Sequence, residues 1–504
     1  MKRSIALLLA LLLVLSGCKK WDEPAYVIPG DVTSPQEQDP DSDAGTESRT
    51  FTLTYYPNRS LNPFQCTDYT NRALFSLIYQ GLFAIDSNYK VTPMLCSRYQ
   101  ISADMRTWTF YLEQATFSDG TPVTPEDVRA SLQASMGSPW YGSRLQHVQS
   151  ITILGEAIIL QLDSECESLP MLLDIPIVKA SQVNDTHPLG TGPYRLDGTQ
   201  LRRQAAWWCS AQLAVDAQII PLVDGTDAIY IRNEFEAHHI SLVCTDTGDE
   251  EYVDYRRDFE LWKCENGLFL YLTVHKDSAL FKNDAIRTAL THLIDRDMLI
   301  SEYYRSMARS ASLPASPQSP WYSEKLAANY AYAPEKFTEA VTTAQAQGSE
   351  ITLLVCSGDL TRTNIARKIA DALRQSGLVV KLKAVSSSEL LTQLRWGKYD
   401  LFLGQTRLSA NMDLSAFFSP NGTLNYGGLA NQELYKLCQD ALVNEGNYYT
   451  LHRAVMDSGY LCPILFQSYA IYGNRGVTPD LAPARDNIFY YDLGKTMSEA
   501  KITG

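Results

Sequence analysis

TWTFYLEQATFSDGTPVTPEDVRASL, residues 107–132, joins a strand, a turn and a capped helix in one short run. Trp108, Phe110 and Leu112 alternate with Thr107, Thr109 and Tyr111, the period-two pattern of a half-buried strand. Ser118-Asp119-Gly120 follows as turn chemistry, with the aspartate bonding to nearby backbone and the glycine free to take positive φ. Thr124 offers an oxygen to the free N–H groups of a helix, Pro125 suits its first position, and Asp127 stands where the acidic partner of a capping box belongs. The chain therefore reverses near Gly120, and a helix starts at Thr124. Strand-turn-helix units recur throughout α/β proteins, so local physics alone gives a fold class and no more.

The wording of the unit goes further. Trp108, Phe110, Phe117-Ser118-Asp119-Gly120-Thr121-Pro122 and Glu126-Asp127-Val128 are preceded by Leu61-Asn62-Pro63 and Ile78-Tyr79-Gln80-Gly81-Leu82. They are followed by Leu189-Gly190-Thr191-Gly192-Pro193-Tyr194, by Asn283-Asp284-Ala285-Ile286-Arg287-Thr288-Ala289-Leu290 and by Ile294-Asp295-Arg296. In kind and order these pieces resemble the extracellular solute-binding proteins of ABC importers, in the large family (family 5) that captures oligopeptides, dipeptides, nickel and related solutes. The resemblance covers roughly residues 50–475. It implies a two-lobed periplasmic-binding-protein-like α/β fold, class II and of the large three-subdomain type, with a hinge cleft that closes on its ligand. On that plan lobe I spans 51–265 with an inserted subdomain at about 67–185, lobe II spans 266–465, and residues 466–504 return to lobe I. The chain would cross between lobes near Cys264 to His275 and near Ile464 to Tyr472.

With 504 residues and 45% hydrophobic composition the chain can bury more than one core. A formal charge of -14 argues against a nucleic-acid surface, which needs clustered Lys and Arg. MKRSIALLLALLLVLSGC opens with a basic segment and an apolar run from Ile5 to Leu15, too short to span a bilayer, which takes about 20 residues. Residues 1–17 read as an export signal. Leu15-Ser16-Gly17-Cys18 resembles a bacterial lipobox, which implies cleavage before Cys18 and lipidation of its sulfur. Two acyl chains anchor far better than one, at about 0.8 kcal/mol per buried methylene. The expectation is a protein on the outer side of the cell membrane, held by lipid. From Lys19 to Thr50 the chain is rich in Pro, Asp, Glu, Ser and Thr and cannot offset its ordering entropy, so 18–50 read as a disordered tether of about 30 Å end to end. The other nine cysteines, Cys66, Cys96, Cys166, Cys209, Cys244, Cys264, Cys356, Cys438 and Cys462, form no CxxC pair, and no disulfide is assigned.

Phe51–Tyr56 reads as a first strand and Asn71–Tyr79 as a helix; two strand-like runs then flank a turn at Gly155. Gly190-Thr191-Gly192-Pro193 lacks P-loop spacing and reads as a loop feeding a strand. Gly267–His275 is an apolar strand, followed by a helix with Asp284 as N-cap and a stripe of Ile286, Ala289, Leu290, Leu293 and Ile294. Strands at Ile351–Cys356, Val379–Val385 and Tyr399–Leu403 alternate with helices over Ile365–Leu373 and Glu389–Leu394, the unit of a mostly parallel sheet. Ligands sit outside the carboxyl ends of such strands, which nominates Ser357–Asp359 and Gly404–Asp413.

No HExxH, GxSxG or Walker A pattern is present, so the reading is a binding protein rather than an enzyme, with no cofactor and no metal site. His238-His239 reads as a surface or loop pair, and Asp246, Asp249 and Glu250 as a solvated acidic turn. Cleft candidates are Gln405, Arg407, Asn411 and Asp413, with Tyr56, Asn58, Asn62, Asn425 and Tyr426 from other loops. In peptide-binding members that the chain resembles, an acid near the start of this loop pairs with the peptide's α-amino group. Here Ala410 holds that position, Asp413 aligns with the later acid and Leu414 replaces a proline. A free amine therefore requires Asp413 or another carboxylate to move in. Arg407 is the alternative, a partner for an anionic group on the ligand, against an ordinary exposed arginine. The resemblance implies capture of a peptide-like solute and delivery to ABC permease and ATPase subunits by a monomer that binds no nucleic acid. A non-peptide solute, such as a metal chelate or oligosaccharide, and a signalling or adhesion receptor remain as alternatives.

Overall fold

The computed structural model describes residues 50–256 and 258–495. The expected leader, Cys18 and the tether up to residue 49 lie outside the described residues. Four sheets organise the rest. One has strands Leu53–Tyr55, Ile219–Asp224, Gln200–Arg203 and Tyr194–Asp197 in that order, the first pair parallel. A second, wholly antiparallel, orders Cys96–Ile101, Thr107–Leu112, Ala157–Leu162 and Val148–Leu154. A hairpin pairs Phe83–Ile85 with Val91–Pro93.

The fourth sheet is the spine. Phe259–Val274 pairs antiparallel with Leu461–Asn474 from Phe259 opposite Asn474 to Thr273 opposite Leu461, with register shifts between Glu265 and Phe269 and between Leu270 and Tyr271. Leu242–Thr245 joins one end of this ribbon and Leu401–Arg407 the other, followed by the parallel strands Glu350–Cys356 and Val379–Val385. Ile351, Leu353 and Val355 pack on the helix Leu360–Gln375, while Leu354 packs on the other face beneath Ser387–Trp396. That is the expected strand-helix-strand-helix-strand unit, with its two helices on opposite faces.

The 107–132 unit folds as its chemistry demands. Thr124 and Asp127 close a capping box on the helix Pro125–Ser135, and the second oxygen of Asp127 accepts from Ala180 N at 2.7 Å. Gly120 turns the chain at φ +82°. Asp119 accepts from Thr121 and from Lys179 Nζ at 2.7 Å; against the opposing effect of burial, these bonds lower its pKa to about 2. Gly190-Thr191-Gly192 feeds the strand Tyr194–Asp197, and its glycines are steric necessities. A Cβ on Gly190 would stand 2.1 Å from the carbonyl oxygen of Ile78, and one on Gly192 2.6 Å from that of Leu77.

Three local expectations differ from the structure. Asn71–Tyr79 is two short helices, Tyr69–Arg72 and Phe75–Ile78, the first capped by Asp68, whose carboxylate accepts from Asn71 N at 2.8 Å. The helix expected to start at Asp284 is capped by Asn283, whose side chain reaches the N–H groups of both Ala285 and Ile286. Asp246 is half-buried rather than solvated. Burial and the nearby Asp249 and Asp359 push its carboxyl up to about 6, although Gly248 N–H donates to it. Substituting Gly190 with Ala should lower the unfolding free energy by about 1–3 kcal/mol through overpacking. Gly137→Ala, where the nearest atom is 3.9 Å away, should change it by less than about 0.5 kcal/mol. Chemical denaturation of the two variants checks the difference.

Candidate functional site at an arginine-lined seam

After the helix Pro125–Ser135 the chain folds tightly back on itself, and Gly142 is required because a Cβ there would lie 2.8 Å from Met136 O. Trp140 and Tyr141 lead into the 3-10 turn Gly142–Leu145, which carries Arg144, and Trp140 meets the end of the strand Leu401–Arg407. The Arg407 guanidinium lies 3.7 Å from the centroid of the Trp140 ring, and that of Arg72 lies 3.6 Å from it. Arg72 also donates to Tyr141 Oη at 2.9 Å. Arg144 pairs with Asp174 and, at 3.3 Å, with Asp486, which meets Arg407 at 3.4 Å through its other oxygen. Asp486 holds φ +57° at the corner of a turn in which Ala484 and Asn487 exchange backbone hydrogen bonds.

The two arginines of this network are unequally paired. Arg72 and Arg144 are buried and the Arg407 side chain is 10% exposed; Arg144 holds Asp174 and shares Asp486 with Arg407, and the Arg407 charge also acts favourably on the carboxylate of Asp246. Burial draws the Arg407 pKa below the usual guanidinium value; Asp486 offsets this only in part, and Arg72 adds repulsion. Arg144 is better compensated: burial opposes its charge, but Asp174 and Asp486 together hold its pKa above normal. An anionic group placed against Arg407 and Trp140 would complete the set.

A second polar contact crosses the same seam. His147 lies between Asp163, at 2.9 Å from Nδ1, and Asp413, at 2.9 Å from Nε2. Gln146 Nε2 also donates to Asp413 at 2.5 Å, and Ser415 N at 2.8 Å. Burial disfavours the imidazolium, but Asp413 and Asp163 outweigh it and raise the His147 pKa to about 9. Asp413, buried itself, is held below the usual carboxylate range by its bonds to His147. Asn411 Nδ2 donates to Ser168 Oγ at 3.1 Å, and Glu167 N to Leu442 O at 2.9 Å, extending the contact.

A model of the bacterial extracellular solute-binding proteins, family 5 Middle, matches residues 90–427. The chain belongs to that family. It is 22% identical over 352 residues to the glutathione-binding protein GsiB of Salmonella typhi, covering 66% of this chain and 68% of that protein. The crystal structure of the ABC transporter substrate-binding protein CtaP of Listeria monocytogenes superposes with a TM-score of 0.68 at 17% identity, over 88% of this chain and 99% of CtaP. NikZ of Campylobacter jejuni, solved with Ni(L-His), does so with a TM-score of 0.60 at 18% identity, over 88% of this chain and 97% of NikZ. These likenesses establish the two-lobed fold of the solute-binding proteins.

Within this family 5 fold, the residues nominated from sequence divide by location. Arg407, Asn411 and Asp413 stand on the seam. Gln405 is half-buried in its strand opposite Leu270. Tyr56 is half-buried beneath the Arg59 guanidinium at 4.2 Å, and Asn58 is exposed. Asn62, fully buried, donates to Val183 O and Asp185 O. Asn425 ties its own loop through Ala430 N and Ser419 O, and Tyr426 packs edge-on against Phe402. His238 and His239 sit after the helix Ala228–Glu236 and turn to different partners, Asn474 and Glu234. Sequence reading missed Arg72, Trp140, Arg144, Asp174 and Asp486. The available hint was Trp140-Tyr141 followed by Arg144 in a polar loop, an aromatic-plus-arginine pairing typical of binding surfaces.

The His147 contact carries a pH signature. A histidine whose folded pKa is raised stabilises fully below its unfolded value near 6.5, and that stabilisation is lost as pH rises through about 9. Between these values stability should fall by up to about 1.4 kcal/mol per pH unit for the one proton involved. Denaturation of the wild type and of His147→Gln across this window checks it. The substitution should remove that part of the slope.

Proposed function

We propose that this chain is the solute-capturing component of an ABC importer and takes a peptide-like solute whose anionic group is read by Arg407 and Arg144 over Trp140. The incomplete compensation of Arg407, whose burial outweighs its shared bond to Asp486, carries this reading. A buried cation without a counter-charge costs several kcal/mol, and a ligand carboxylate supplies the missing partner. At positions 410 and 413 the amino end of a peptide finds no such partner. Ala410 lies in an apolar cluster with Leu408, Met412 and Leu414, and the Asp413 carboxylate is taken by His147, Gln146 and Ser415. Glutathione binding by the GsiB relatives fits a small, acidic, peptide-like ligand. A second reading, a metal chelate bearing carboxylates, draws on the same weakly compensated Arg407 and on the Ni(L-His) complex of NikZ.

Closure would bend the spine ribbon at its register shift beside Glu265, with lobe I at 51–265, lobe II at 266–465 and a C-terminal return from 466. The solute passes to a membrane permease whose partner subunits hydrolyse ATP; this chain performs no catalysis. Cys18 carries the lipid that holds the monomer on the extracytoplasmic face of the membrane.

Thermal unfolding against short peptides with free or acetylated N-termini, and with free or amidated C-termini, tests the assignment. Peptides with a free carboxylate should stabilise the protein, by about 2.7 kcal/mol at 100 times their dissociation constant. Acetylation should be tolerated and amidation should abolish the effect. Stabilisation that depends on the free amine and survives amidation would contradict the reading.

A further inference from the structure

The seam residues Arg72, Tyr141, Arg144, Asp174 and Asp486 also line a cavity of ≈ 70 Å³, together with Gln80, Arg485, Asn487 and Tyr491 and with no residue of the strand Leu401–Arg407 or its loop. Its walls include four polar side chains with unpartnered atoms. Arg485, 5% exposed, donates from Nη2 to Leu408 O, while its Nε and Nη1 have no hydrogen-bond partner. Gln80, 3% exposed, accepts from Trp208 Nε1 at 2.8 Å through Oε1 and leaves Nε2 unpartnered. Tyr491 Oη and Asn487 Oδ1 are unpartnered as well.

Arg485 is built into this place. The turn Ala484–Asn487 fixes its backbone, and Gly267, at φ +73°, makes room for the guanidinium, since a Cβ there would meet Nη2 at 2.4 Å. Among the described residues no carboxylate makes an ion pair with it. Asp174 pairs with Arg144, and Asp486 with Arg144 and Arg407. Glu265, the remaining acid nearby, accepts from Tyr89 Oη at 2.7 Å and from Ser316 Oγ. A buried guanidinium with two unused nitrogens, beside an unused amide N–H₂ and a phenol, is a set of donors that outnumbers the one unused acceptor, Asn487 Oδ1.

We propose that this cavity is a subsite for one carboxylate-sized anion, held by Arg485 and Gln80 with Tyr491 as a further donor. A water takes at least about 10–15 Å³ on this volume scale, so the space admits a group of a few heavy atoms and excludes a whole peptide residue. The anion comes either from the captured solute, in which case the inference rests on the reading above, or from the medium as a free small anion.

Thermal unfolding of the intact chain with sodium formate, at constant ionic strength maintained by sodium gluconate, tests this. Gluconate is too large for the cavity. Formate should raise the transition saturably, and Arg485→Met and Gln80→Met should each weaken that response at least tenfold. Crystals soaked in sodium bromide should show an anomalous peak within reach of Arg485, which decides the matter should either variant fail to fold. Competition between formate and a carboxylated peptide would assign the subsite to the solute, and additive binding would assign it to a free anion; both uphold the site. An equal formate response in the wild type and both folded variants, or ordered water alone in bromide-soaked crystals, would overturn it. Neither result depends on whether any peptide binds.

Discussion

The seam is organised around one carboxylate doing two jobs. Asp486 meets Arg144 through one oxygen and Arg407 through the other. Arg144 has a second acid in Asp174, whereas Arg407 has a half-share of Asp486, the Tyr469 hydroxyl, the more distant Asp246 and the face of Trp140. Cation-π contact with a desolvated Trp contributes about 2 kcal/mol, less than a buried guanidinium loses on leaving water. On the proposed reading the seam takes up a further negative charge from the ligand, and a receptor that must release its cargo gains from such incomplete pairing. A protein that satisfied every charge internally would have nothing to offer a ligand.

The fold supplies the means of bringing these residues together from distant parts of the chain. Arg72, Trp140, Arg407 and Asp486 span more than four hundred positions of sequence. The antiparallel ribbon of Phe259–Val274 and Leu461–Asn474 sets Leu242–Thr245 at one end and Leu401–Arg407 at the other, and its irregular middle lies beside Glu265 and Gly267. The turn that carries Arg485 and Asp486 is fastened there, through Asp486 N to Glu265 O at 3.3 Å. Strand pairing, an open space at Gly267 and one residue at positive φ therefore aim the acid at both arginines.

Much of this architecture was legible in the sequence. The Thr124–Asp127 capping box, the Gly120 and Gly155 turns and the strand-helix alternation after Ile351 all follow from short-range chemistry, and the structure shows each. Where reading failed locally, competing caps decided. Asn283 outbid Asp284 by one position, and Asp68 started a helix that ends at Arg72. The site was harder to see because its parts are contributed one or two at a time by separate loops. Arg407 was visible from its place at the carboxyl end of a parallel strand, which runs four residues further than the sequence suggested; Asp174 and Asp486 are single acids in unremarkable sequence, given meaning only by the arginines folded against them. Asp413 illustrates the limit most clearly: its position suggested a partner for an amine, but His147, far away in sequence, already occupies it.

The central claim is that the seam reads negative charge. The crystal structure of the protein with a bound carboxylated ligand tests it most directly. The account predicts an anionic oxygen within hydrogen-bond distance, about 2.7–3.2 Å, of the Arg407 or Arg144 guanidinium, alongside Trp140. A ligand that turns its anionic groups to solvent and sets neutral atoms against both arginines would contradict it.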